Sequence, residues 1–219
     1  MNQPIDLKEL ERKAFRSTYQ DGLWDIYQGG IVLSFTAFAG ALSRPDQFDS
    51  WQRFLIFISG IALSYLVFWA GKRFITLPRI GQVNFGPARQ QRKRRLSTLL
   101  GGIVAIQSLV VLFSLAAWKI PALRGWLGSS ASQDTETLIV ALVGAFFVGP
   151  SLTLIAYFND FSRGYYIASI MALAVFCLIW FDQAVFMLIA GSLIIIPGLV
   201  LFVRFLRTHP IPAAGDRHE

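Results

Sequence analysis

The sequence predicts an all-α polytopic membrane protein. The expected architecture is a transmembrane helical bundle of six spans, with an N-terminal amphipathic interfacial helix and a short β-hairpin in the loop after span 2. Three observations lead there. Hydrophobic residues make up 54% of the chain without counting glycine, whereas soluble domains reach roughly 45–50% only with glycine included. Charged residues make up 15%, against about 25% in a soluble domain. The apolar residues are also gathered into runs, and a helix needs about 20 of them to cross about 30 Å of hydrocarbon.

The chain divides into a segment 1–22, a membrane domain 23–207 and a polar tail 208–219 that is expected to be disordered. In the first segment, Asp6 and Glu9 have the spacing of a capping box. Leu7, Leu10, Ala14 and Phe15 then share one helical face, with Lys8, Arg12, Lys13 and Arg16 around the other. Such a helix lies on anionic lipid or packs as a soluble helix on the inner loops. No cleavable signal peptide is expected, and the first span is expected to serve as the insertion signal.

The spans are expected at 23–43, 54–71, 96–118, 138–158, 165–181 and 184–205. Asp25 and Gln28 make the first the least apolar. The last two are parted only by a turn at Asp182 and Gln183, and are read as a tight hairpin because one helix of that length would overrun a bilayer. Between the second and third spans, Phe74–Leu77 and Gln82–Phe85 lean towards β structure around Pro78-Arg79-Ile80-Gly81.

Lys and Arg set the orientation. With both ends in the cytoplasm, sixteen of the twenty fall in inner segments, and only Arg44, Arg53, Lys119 and Arg124 fall outside. Trp24, Trp51, Trp118, Trp126 and Trp180 sit at or near expected span ends, where amphipathic rings settle. The reading is therefore a multi-pass inner-membrane protein with both termini cytoplasmic.

Two clusters are candidate sites. Arg89, Arg92, Lys93, Arg94 and Arg95 place five positive charges in seven residues. They act as a topogenic signal, or as a contact for anionic headgroups at about 1 kcal/mol per basic residue. Nucleic acid is not expected as a partner, since no folded reading surface accompanies the charges. The second cluster is a polar rim of Asp21, Asp25, Arg73, Arg79, Asp160 and Arg163. Asp21 and Asp25 stand at i and i+4, so they share a helix face. A carboxylate at the hydrocarbon edge needs a partner, and the expected one is Arg163, Arg73 or Arg79. The rim is either a structural clamp or a site for a cation or headgroup.

The spans hold little other chemistry. Gln107 is the most polar side chain at depth, and such residues hydrogen-bond between helices more often than they bind substrate. Gly149-Pro150 and Pro197-Gly198 are expected to be tolerated kinks. The small residues Gly29, Gly30, Gly101 and Gly102 are expected to let helices approach closely. The two histidines, His209 and His218, lie in the tail region, and the single cysteine is Cys177. No metal site, no cofactor and no catalytic residue is therefore expected.

Tyr19-Gln-Asp21-Gly-Leu-Trp-Asp25-Ile and Ile75-Thr-Leu-Pro78-Arg79-Ile-Gly81-Gln-Val-Asn-Phe85 resemble segments of a loose family of small bacterial polytopic membrane proteins. The resemblance covers the first half of the chain. It implies a multi-pass topology and a bacterial origin, and it brings no activity.

The function expected is that of a non-enzymatic integral membrane protein. Its basic cytoplasmic face would contact anionic lipid or a partner protein, with a homo-oligomer left open. A small oligomeric transporter or channel, and a membrane enzyme acting on a lipid-like substrate, are the alternatives.

Overall fold

A computed structural model describes residues 19–42, 49–80, 87–119 and 133–210. These form six helices and, among the described residues, no strand. They are α1 (Leu23–Leu42), α2 (Ser50–Ala70), α3 (Pro87–Lys119), α4 (Gln133–Phe158), α5 (Ser162–Phe181) and α6 (Val185–Thr208). Helix α2 runs on through a π-helical segment, Gly71–Thr76, into a last α turn, Leu77–Ile80. The N-terminal helix expected over 1–22 lies outside the described residues up to position 18, as does the tail from 211.

The expectation of six spans and a β-hairpin is corrected: the described residues hold four candidate spans and no strand. Among the described residues, four helices are long and apolar enough to cross a membrane: Trp51–Arg79, Asp134–Phe158, Ser162–Phe181 and Val185–Thr208. Helix α1 carries Asp25, Tyr27 and Gln28 in its opening turns, and α3 carries five basic residues in its first nine. The sixteen-to-four division of Lys and Arg depends on six crossings and does not carry over to four. The basis for placing both termini in the cytoplasm goes with it.

The first expected strand, Phe74–Leu77, is helical. Its residues lean towards β structure, but tertiary contact overrides propensity, because Thr76 is buried against Asp21. The wide π turn, in which the Leu77 N–H donates to the Lys72 carbonyl, comes just before Pro78. In a regular helix that ring crowds the carbonyl four residues back. The second expected strand, Gln82–Phe85, lies outside the described residues.

The chain forms two compact units, residues 1–85 with 184–219 and residues 86–183. In the first, α1 lies between α2 and α6 and runs antiparallel to both. Against α2 the contact is built from small residues in reciprocal positions. A β-carbon on Gly30 would stand 2.5 Å from Ser64 Oγ, and one on Gly60 would stand 2.5 Å from Ser34 Oγ. Each serine faces the other helix's glycine, and each hydroxyl donates back to its own helix, Ser34 to Gly30 O and Ser64 to Gly60 O, both at 2.8 Å. The close approach therefore leaves neither hydroxyl unsatisfied. Towards α6, Gly22 meets Gly198, and Gly29 meets Gly191 and Ile195. Val32 and Ile194 are fully buried.

The second unit is built on α4 and α5, joined by a turn at 159–161. Asp160 takes a left-handed conformation (φ 50°), and the Phe161 N–H donates to Ala156 O at 2.9 Å. Gly149 faces Ala172, and Gly164 faces Ala156. Helix α3 reaches α4 through Gln107, whose amide donates to Phe147 O at 3.4 Å. Gln107 thus bonds between helices. Replacing it with leucine is expected to cost about 0.6 kcal/mol, read as a small shift in the SDS midpoint of unfolding in mixed micelles. Helices α4 and α6 continue through Pro150 and Pro197. Helix α5 ends on Asp182 (φ 51°, ψ 40°), a left-handed cap that confirms a break there. Gly101 and Gly102 have open space around them among the described residues, which show no close helix contact at these positions.

Candidate functional site

The polar end of the first unit is organised by Asp21, which is fully buried. Gly22, at φ +73°, bends the chain into α1 directly after it, and the Leu23 N–H donates to Asp21 Oδ1 at 3.3 Å. From the end of α2, Lys72 Nζ reaches Asp21 Oδ2 at 2.7 Å and the Thr76 hydroxyl donates to the same oxygen at 2.8 Å. A carboxylate offers about four acceptor positions, and three are taken here. The arrangement locks the start of α1 to the end of α2.

Aromatic rings wall this lock. Trp24 packs on Tyr19, Tyr27 and Phe68, with centroids 5.9, 5.6 and 5.2 Å away. Lys72 Nζ stands 5.9 Å from the centre of the Phe68 ring. The ammonium therefore contacts both a carboxylate and a ring face. Sequence reasoning missed Lys72 and Thr76 as partners of Asp21. Their i, i+4 spacing at the end of an apolar run was the available signal.

The other rim residues separate into two groups. Asp25 is 4% exposed, and its Cβ lies against Gly198 of α6. Arg73 is exposed, and an Arg79 guanidinium nitrogen donates to Ile75 O at 3.3 Å. All three belong to the first unit, and none is Asp21's ion-pair partner, which is Lys72. Asp160 and Arg163 belong to the second unit, where the Arg163 guanidinium lies 5.4 Å from the centre of the Phe161 ring.

The basic run Arg89, Arg92, Lys93, Arg94 and Arg95 lies within α3. Its helix continues without interruption into the apolar stretch from Leu96. Arg94 and Arg95 are exposed. Among the described residues, no group of three His, Cys, Asp or Glu side chains is placed to hold a metal ion.

The helices establish a multi-pass membrane protein by length and apolar character. No protein-family model matches the chain, and neither a curated protein nor a solved structure matches it.

Proposed function

We propose that this is a non-enzymatic integral protein of a bacterial inner membrane, which uses the basic start of α3 to hold anionic lipid at the cytoplasmic leaflet. The observation that carries this reading is the continuity of α3. Five basic residues occupy its first nine positions, and the same helix then turns apolar. A polybasic helix start that leads into apolar residues attracts anionic headgroups at a membrane surface. The non-enzymatic reading is supported by Asp21, whose carboxylate is spent on a lysine, a threonine and a backbone N–H rather than facing a cleft.

The test uses the full chain in lipid nanodiscs, with spin-labelled phosphatidylglycerol and phosphatidylcholine as probes. Replacing all five basic residues with glutamine is expected to weaken the preference for phosphatidylglycerol at least tenfold, at about 1 kcal/mol per charge near the surface. The preference of the parent protein should also fall as salt rises. An unchanged preference in the fivefold variant would discard the proposal.

A further inference from the structure

A second anion-binding site can be read in the other unit, on α6. Its final turns carry Val200, Val203, Arg204 and Arg207. The spacing of i, i+3, i+4 and i+7 puts all four on one helical face. With Leu199 they line a groove of about 410 Å³. The three aliphatic side chains are well exposed, with Val200 at 62%. Both arginines are exposed as well, and neither has an ion-pair partner among the described residues.

The position of this groove in the unit gives it meaning. Gly198 lies against Gly22 and Asp25, so the groove opens at the same end as the Asp21–Lys72 lock. That end gathers Lys72, Arg73, Arg79, Arg204 and Arg207, and Asp21 takes up Lys72. It also carries Tyr19, Trp24, Tyr27 and Trp69, which has the makeup of an interfacial aromatic belt. An apolar strip leading to two arginines that have no ion-pair partner among the described residues is complementary to one kind of molecule. It fits an acyl chain lying along the strip, with a phosphate above it.

We infer that Arg204 and Arg207 bind the phosphate of a single anionic phospholipid whose chain lies along Leu199, Val200 and Val203. Arginine suits this task because its planar guanidinium offers paired donors to phosphate oxygens. This site is distinct from the α3 segment in both residues and unit.

Native mass spectrometry of the full chain, released from detergent with added phosphatidylglycerol, tests it. The parent is expected to retain one tightly held phosphatidylglycerol. Arg204→Gln with Arg207→Gln should lose it, with affinity falling roughly tenfold to thirtyfold, while the glutamine variant of the α3 run keeps it. Arg204→Lys with Arg207→Lys should bind more weakly than the parent but more tightly than the glutamine pair, and that partial rescue separates charge recognition from misfolding. Inorganic phosphate should not displace the lipid. Retention in the glutamine pair, equal loss in the lysine pair, or displacement by phosphate alone would each overturn the inference. Failure here leaves the α3 proposal standing, and the reverse is also true, since each variant alters only one unit.

Discussion

Lys72→Ala is expected to destabilise the first unit by about 3–5 kcal/mol. The lysine removed is 20% exposed at its side chain, but the carboxylate left behind is fully buried. The cost therefore comes mainly from Asp21, which keeps only the Thr76 hydroxyl and the Leu23 N–H to offset its loss of water. A second substitution separates this from simple loss of packing. Asp21→Asn combined with Lys72→Met removes both charges and should recover most of the stability, because a buried pair replaced as a whole is often close to neutral. Thr76→Val should cost about 1 kcal/mol by itself. Reversible unfolding in mixed micelles at rising SDS fraction measures all four proteins. If the lysine variant unfolds with its parent, the lock contributes nothing.

Gly22→Val should have an effect of similar size by another route. The residue holds φ +73°, a conformation that costs a side-chain-bearing residue roughly 1–2 kcal/mol. The new β-carbon would also run into the Gly198 carbonyl. Backbone cannot swing aside as a flexible side chain does, so overpacking adds about 1–3 kcal/mol. The same unfolding assay should show a loss of about 2–5 kcal/mol in total. Gly101→Ala is the control. Nothing lies within 4 Å of a β-carbon there, so helix propensity should raise stability by up to about 1 kcal/mol. Equal behaviour of the two variants would refute the close α1–α6 packing.

The helices were legible in the sequence because apolar runs and their breaks are local signals. Asp182 and Gln183 were enough to locate the end of α5. Whether each helix crosses a membrane was not legible in the same way. Helix α1 tolerates Asp25 and Gln28 because α2 and α6 cover two of its sides, and that cover comes from distant parts of the chain. The β-hairpin expectation failed for a related reason. Phe74, Ile75 and Thr76 satisfy a local preference for strand, but Thr76 gains a buried hydrogen bond to Asp21, 55 positions earlier, only by staying helical. In the rim cluster, the need of Asp21 for a cation was legible from its place at the hydrocarbon edge. Which cation it takes depends on the turn of the π segment, which brings Lys72 rather than Arg73 or Arg79 to the carboxylate.

The sandwiching of α1 has a consequence for how the protein is made. Helix α2 follows α1 within a few residues, but α6 begins at Val185, after the whole second unit has been synthesised. Roughly 150 residues separate the emergence of α1 from that of its second cover. At about 5–20 residues per second, the wait is on the order of ten to thirty seconds. During that time the Asp21–Lys72 lock can close, since both of its halves already exist, while the glycine face of α1 that will meet Gly191 and Gly198 stays bare. Helix α1 is thus finished by α6, and a chain truncated before α6 would present that face to whatever membrane chaperone or neighbouring helix arrives first.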